Sequence, residues 1–388
     1  MNAAIIFGIL LALMLTGMPI SISLGLTVLS FLFTMTQVPL ESVALKLFTG
    51  IEKFEIMAIP FFILAGNFLT HGGVARRMID FATSMVGHFR GGLGMSSVFA
   101  CALFAAVSGS SPATVVAIGS IMLPAMVKAG YPKPFGVGVI ASGGGLGILI
   151  PPSIVMVMYA VSTNSSIGAL FMAGVIPGLL LAVFLGFTTW YVAHKGNYPR
   201  ERRHTWAERG KAFTKSVWGL LLIVVVIGGI YSGLFTPTEA AAMSAVYAFF
   251  IAVFVYKDLK MSDVPRVLLN SANMSAMLLY IITNAVLFSF ILTNEQIPQS
   301  VAQWILDSGM GVIGFLIAVN VLLLVMGSFM EPSSIILITA PILFPIAMKL
   351  GIDPIHFGFM ITVNMEIGMI TPPVGLNLYV ASGISKLG

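Results

Sequence analysis

Two clusters of small polar residues interrupt the apolar runs of this 388-residue chain. Ser108, Gly109, Ser110, Ser111 and Pro112 form the first; Gly327, Ser328, Glu331, Pro332, Ser333 and Ser334 form the second. Each is followed by another interruption, at 142–153 and at 364–375. The first of these contains Gly143, Gly144, Gly145, Gly147, Pro151, Pro152 and Ser153; the second contains Asn364, Glu366, Gly368, Thr371, Pro372, Pro373 and Asn377 just beyond it. Where a helix stops, freed carbonyls and nearby hydroxyls suit a small hard cation, and helix N-termini suit a carboxylate. In hydrocarbon an unsatisfied backbone group is costly, so such breaks persist only where something polar satisfies them. A kinked helix with a serine bonded to its own backbone accounts for one such cluster, and less well for two in register.

The register is close. Pro124, Lys128, Gly130, Gly147, Pro151 and Pro152 fall on Pro345, Lys349, Gly351, Gly368, Pro372 and Pro373 at one constant offset. Helix breakers at matching places in two apolar halves predict a transporter made of structural repeats, with its site near the membrane midplane. Glu331 and Glu366 are the acids expected at membrane depth, and both sit at breaks. Each has three possible roles there: cation ligand, proton carrier or helix cap. No basic residue is expected at midplane, so a carboxylate would be held by helix ends, amides, hydroxyls and a bound cation. Asn67, Thr163, Asn164, Asn284 and Asn294 read as interhelical hydrogen-bonding groups. The glycine run 142–147 lacks a preceding strand, a Walker lysine and a downstream acid, which argues against a phosphate loop.

The elements that must position these residues follow from composition. Hydrophobic residues make up 58% of the chain and charged residues 9%, with a mean hydropathy of +1.03; soluble domains carry about 25% charged residues. The expected fold is an all-α polytopic membrane protein of inverted structural repeats. It has two re-entrant helical hairpins, at 93–127 and 311–350, and two broken transmembrane helices, at 134–163 and 354–384. Residues 5–35 read as one tilted crossing bent at Gly17 and Pro19, and not as a removable signal peptide. Residues 38–53 and 262–273 read as interfacial helices, and 74–89 as an amphipathic one. Residues 54–69, 168–193, 217–235, 240–256 and 274–293 read as crossings. Four regions are expected: scaffold and interfacial arm at 1–90, first hairpin and broken helix at 91–165, scaffold at 166–293, and second hairpin and broken helix at 311–388.

Charge distribution gives the orientation. The long hydrophilic connection 194–215 carries Lys195, Arg200, Arg202, Arg203, Arg209, Lys211 and Lys215. Placing it and the N-terminus in the cytoplasm leaves only Lys46, Lys53 and Lys349 of the 19 lysines and arginines outside, a strong positive-inside pattern. The same trace brings the two hairpins in from opposite faces. Basic residues confined to short loops argue against nucleic acid as a partner. The single Cys101 and five scattered histidines offer neither a disulfide framework nor a transition-metal site. No His, Cys or acid constellation of an intramembrane enzyme is visible, and opposed hairpins suit occlusion better than an open channel.

Four motifs carry a family resemblance: Ile59-Pro-Phe-Phe-Ile-Leu-Ala-Gly66, Ser108-Gly-Ser-Ser-Pro-Ala-Thr114, Gly147-Ile-Leu-Ile-Pro-Pro-Ser153 and Ile370-Thr-Pro-Pro-Val-Gly375. Together they closely resemble the large membrane subunit of tripartite ATP-independent periplasmic (TRAP) transporters, over essentially the whole chain. The resemblance implies a sodium-driven importer of organic acids in the bacterial inner membrane, and not an enzyme. It implies three partners besides the bilayer: a periplasmic substrate-binding protein, a small four-helix membrane subunit and the organic acid. It implies co-transported Na+ and no organic cofactor, in an elevator architecture whose hairpin domain slides against a scaffold. Carried over by motif, one sodium site would use Ser108, Gly109, Ser110, Ser111, Gly144, Gly147 and Pro151. A second would use Gly327, Ser328, Glu331, Gly368, Thr371 and Pro372. The substrate carboxylate would lie near Ser110, Ser111, Pro112, Ser153, Ser333, Asn364 and Asn377. The family pattern continues with a further apolar span beyond Gly388. Residues 51–57 and 67–73 look most like the C4-dicarboxylate branch, with sialic acid importers next. Topology alone offers 37–55 and 295–308 for docking. A stand-alone sodium- or proton-coupled carboxylate transporter of similar architecture is the nearest alternative.

Overall fold

The computed structural model describes residues 2–36, 38–309 and 311–386, and every regular element among them is helical. Met1, Gln37 and Gly388, which bound three of the expectations above, lie outside these residues. Long apolar runs form helices because hydrocarbon offers the backbone no partner and a helix satisfies itself. Among the described residues, eight helical stretches are long and apolar enough to cross a membrane.

The N-terminal run is not one crossing. α1 (Asn2–Leu15) and α2 (Ile20–Met35) are separated by Gly17, whose φ of 79° only glycine adopts readily. Phe7 packs edge-on against Phe288 with ring centroids 6.1 Å apart, and Gly25 lies against the side chain of Asn284. Two residues so separated on one straight helix would be about 27 Å apart. Here they touch positions one turn apart on a single long helix, α13 (Val264–Asn294), so the run folds back on itself. α3 (Leu40–Thr49) follows, with the Lys46 ammonium 5.5 Å from the centre of the Phe290 ring, further along α13.

α4 (Ala58–His71) descends beside α12 (Pro237–Phe250) and α13, and Asn67 donates to Ser271 on α13 at 2.8 Å. α5 (Val74–Val86) is the expected amphipathic helix, with Met78, Ile79 and Ala82 buried. α10 (Ile167–Lys195) and α11 (Trp206–Tyr231) are long crossings that take up both ends of the hydrophilic connection. α11 begins with a capping box in which Thr205 and Glu208 bond each other's backbone. Arg202 also donates to the Glu208 carboxylate, at 2.5 Å. α12 continues through a π-helical turn, Ile251–Val255. The expected interfacial helix at 262–273 does not stand apart. A short 3-10 turn leads into α13, which runs unbroken for 31 residues, because nothing between 264 and 294 after Pro265 breaks a helix.

The two hairpins are α6 (Gly92–Ser108) with α7 (Ser111–Lys128), and α15 (Val312–Gly327) with α16 (Pro332–Lys349). α14 (Ile297–Asp307) precedes the second. Their second arms are 18 residues each. The broken helices are α8 (Lys133–Leu149) with α9 (Ile154–Thr163), and α17 (Pro354–Met369) with α18 (Leu376–Ser385). Helix α8 runs straight through the glycine run that was expected to break it, and the interruption is confined to 150–153. The glycines are tolerated because of packing: a Cβ on Gly144 would stand 2.2 Å from Val115, and one on Gly143 would stand 3.3 Å from the Cys101 sulfur. Gly145 rests on Glu366, while Tyr159 rests on Gly358 and donates to the Pro354 carbonyl at 2.8 Å. Rising numbers on one broken helix meet falling numbers on the other, so the two run antiparallel, as inverted copies require.

Loop contacts define two faces. On one, the Glu201 amide donates to Gly87, Arg209 to the Ser84 carbonyl, Tyr131 to the Pro199 carbonyl and Tyr256 to the Lys215 carbonyl. Arg77 pairs with Asp258 on the same face and stacks 3.8 Å from the Tyr256 ring. On the other face, Asn2 donates to Glu295 at 2.7 Å, and Lys53 to Asn164 at 2.6 Å. The N-terminus therefore lies on the face opposite the 194–215 connection, not on the same face as expected. The fold-back of α1 on α2 supplies the reason, since it removes one crossing from the count.

Candidate functional site

At the first tip α6 ends on Gly109, whose φ of 63° turns the chain into α7. Ser108 and Thr114 share a hydrogen bond between hydroxyls at 2.9 Å, and Thr114 also donates to the Ser110 carbonyl at 2.9 Å. The tip is fastened to its break. The Gly109 carbonyl accepts the Ile154 amide at 3.2 Å, and Ser111 donates to the Gly144 carbonyl at 2.9 Å. Gly147 passes so near the tip that a Cβ there would stand 2.6 Å from the Ser110 carbonyl oxygen. Ser153 caps α9 by accepting the Met156 amide. Ser108, Ser111, Gly144, Gly147, Pro151 and Ser153 are all buried together.

The second tip follows the same plan with different side chains. The Ser328 carbonyl accepts the amides of both Val374 and Gly375 at 3.1 Å, joining tip to break. Gly327 and Gly368 pack backbone to backbone, so a Cβ on Gly368 would stand 2.6 Å from the Gly327 Cα. Glu331 caps α16: its carboxylate accepts the Ser334 amide at 3.1 Å and the Ser333 hydroxyl at 2.6 Å. Thr371 donates back to the Ile367 carbonyl at 2.6 Å. The two breaks differ in exposure. Pro151 and Pro152 are buried, whereas Pro372, Pro373 and Val374 are exposed.

Between the tips lies a cavity of about 430 Å³. Gly109, Ser110, Ser111 and Pro112 line it from the first tip, and Glu331, Pro332 and Ser333 from the second. α4 and α13 add Asn67, Thr70, His71, Met274, Met277 and Leu278, and the broken helices close the wall with apolar residues such as Ile148, Ile154, Met369 and Leu376. Of these, Thr70 and His71 lie in the 67–73 stretch that resembles the C4-dicarboxylate branch, but no site role was drawn for them from the sequence. Their place at the end of an apolar crossing gave no sign that they would face the tips. A larger space of about 830 Å³ between α6, α10 and α11 is walled by apolar residues such as Phe99, Leu103, Ile150 and Phe187. It offers a carboxylate nothing.

The remaining expected residues sit away from the cavity wall. Asn364 donates to Asn320 on α15 at 2.7 Å and to the Met360 carbonyl at 2.9 Å, tying the second hairpin to its broken helix. Asn377 on α18 donates to Ser111 at 2.7 Å. It thereby joins the second break to the first tip.

Antiparallel broken helices, two tips meeting their breaks and a small cavity between the tips define a multi-pass membrane transporter subunit. The family model described as "Tripartite ATP-independent periplasmic transporter, DctM component" matches residues 7–388. The C4-dicarboxylate TRAP transporter large permease protein DctM of Rhodobacter capsulatus is 72% identical, over 100% of this chain and 91% of that protein. The sialic acid TRAP transporter large permease protein SiaM of Vibrio cholerae is 37% identical, over 97% of this chain and 88% of that protein. A solved structure, that of the YdaH transporter of Alcanivorax borkumensis, covers 86% of this chain and is itself covered to 80%, with a TM-score of 0.58 at 14% identity. That likeness concerns the fold alone. The chain belongs to the DctM family of TRAP transporter large permeases.

Proposed function

We propose that this chain is the large permease of a sodium-coupled importer of C4-dicarboxylates. A periplasmic binding protein delivers the substrate, and a small membrane subunit completes the scaffold. The observation that carries this reading is the cavity shared by both hairpin tips, each tip bonded to its own helix break. Cations bound where tip carbonyls meet the breaks would order the tips and supply the positive charge that the cavity's tip walls lack. The substrate carboxylates would then meet Ser110, Ser111 and Ser333 together with the N-termini of α7 and α16. The hairpins and broken helices move as one body against α4 and α13, in an elevator stroke. Sodium entry down its gradient drives it, each charge contributing about 2.3 kcal/mol per 100 mV. The face bearing the 194–215 connection is cytoplasmic. The 72% identity to a C4-dicarboxylate permease, against 37% to a sialic acid permease, supports the substrate class.

The test is uptake by proteoliposomes holding this chain and the cognate small subunit, with binding protein outside. Succinate accumulation that requires the binding protein is expected. Uptake by the membrane chains alone would contradict delivery, and accumulation of sialic acid but not succinate would contradict the substrate class.

A further inference from the structure

Glu366, expected at the second break, lies instead within α17, because that helix runs on to Met369, and so falls outside both tip-and-break sites. It is 5% exposed, on the face of α17 that meets α8. Its carboxylate sits where a side chain at Gly145 would be: a Cβ there would stand 2.5 Å from Oε1. The other oxygen, Oε2, is buried and has no hydrogen-bond partner. One turn back on the same face of α8, the Ala141 carbonyl accepts from Asn377 Nδ2 at 3.3 Å. Ser111 Oγ accepts from that same amide nitrogen at 2.7 Å. Because the Ala141 carbonyl can only accept, it fixes which end of the Asn377 amide is nitrogen. The amide oxygen, Oδ1, is consequently an acceptor, and it too is buried without a partner, in a residue 0% exposed. Positions four apart on a helix lie about 6 Å apart on one face, so both orphaned oxygens come to one short stretch of α8.

No lysine, arginine or histidine pairs with Glu366 among the described residues. A carboxylate at membrane depth with no cation and no donor is strongly disfavoured. A neighbouring amide oxygen that also lacks a donor makes the surroundings fit a cation.

We propose that Glu366 and the side-chain oxygen of Asn377 hold a third Na+, between the two repeats and apart from the tip-and-break sites. Gly145 is glycine because the carboxylate occupies the space of its side chain. Asn377 also bonds Ser111, so occupancy of this site is felt at the first tip. The proposal rests on the sodium-coupled reading above.

The sodium-to-succinate ratio is read in proteoliposomes with the partner chains, from the membrane voltage at which net flux vanishes. Glu366→Gln and Gly145→Ala are each expected to lower the ratio by one sodium per cycle and to leave residual sodium-dependent uptake. An unchanged ratio with unchanged sodium activation overturns the third site. So does an unchanged ratio accompanied by lost pH dependence, which would assign the position to a proton. Wild-type uptake indifferent to sodium refutes the parent reading instead, before Glu366 is in question. If neither variant folds, judged by size-exclusion profile, Glu366→Asp replaces them. It is expected to keep the ratio and to raise the half-saturating sodium concentration about tenfold, and an unaltered sodium affinity overturns the proposal.

Discussion

Ser111 bears more of the site than any other single side chain. Its hydroxyl donates to the Gly144 carbonyl and accepts from Asn377, so it touches the first tip, the first broken helix and the second break at once. Ser111→Ala removes one hydrogen bond from the Gly144 carbonyl and one from the Asn377 amide, which keeps its bond to the Ala141 carbonyl, at about 0.5–1.5 kcal/mol per lost bond. A lowered unfolding temperature in detergent is expected, with a half-saturating sodium concentration raised about tenfold or more. Unchanged sodium activation in a stable variant would count against the first tip as a cation site. At this scale the sequence was informative about residue type and less so about role. The serine and glycine clusters were visible because helix breakers stand out in apolar runs. Helix capping was one of the three roles open to Glu331, and its partners lie two and three residues on. The engagement of Asn364 with Asn320 was not visible, because it depends on a partner that only packing supplies.

Helix α8 carries the lesson of the element scale. Glycine disfavours an isolated helix, so residues 142–147 read as a break, yet the helix runs through them. Close packing against Cys101, Val115 and Glu366 leaves no room for a Cβ and overrides the local preference. Two substitutions on this one helix separate the effects. Gly144→Ala drives a methyl into Val115 and should destabilise by about 1–3 kcal/mol. Gly138→Ala meets nothing within 4 Å and should be neutral or stabilising by up to about 1 kcal/mol. Thermal unfolding of the two variants checks the contrast. The fold-back of α1 on α2 escaped the sequence for the opposite reason: hydropathy is the same for one long tilted helix and for two short ones. A second element-scale prediction concerns Lys53, which donates to the Val161 carbonyl and to Asn164 at the end of α9. It ties the arm before α4 to the hairpin domain. If that domain slides, the bond must open in every cycle. Lys53→Ala is therefore expected to speed saturating succinate uptake a few-fold while lowering thermal stability. A slower variant of unchanged stability would contradict the assignment.

For the whole molecule, the repeated punctuation of the sequence and the antiparallel pairing of the broken helices describe the same object. The constant offset between the halves made the repeats legible, and charge distribution made them inverted. The sequence already showed one asymmetry between the copies, glycines and serines in the first and Glu331 and Glu366 in the second. A second, in exposure, became visible only in three dimensions. The first break is sealed, while Pro372, Pro373 and Val374 stand exposed. If both breaks help bind sodium, the exposed one is the natural point of entry and exit, and the sealed one has to fill first or empty last.

The central claim is that sodium movement drives substrate movement through these two sites. It is tested most directly by succinate uptake into proteoliposomes containing this chain and its partners, at fixed membrane potential, with sodium outside, inside or equal on both sides. Accumulation above equilibrium only under an inward sodium gradient, collapsing when the gradient is dissipated, is the predicted result. Equal accumulation under all three conditions would contradict it.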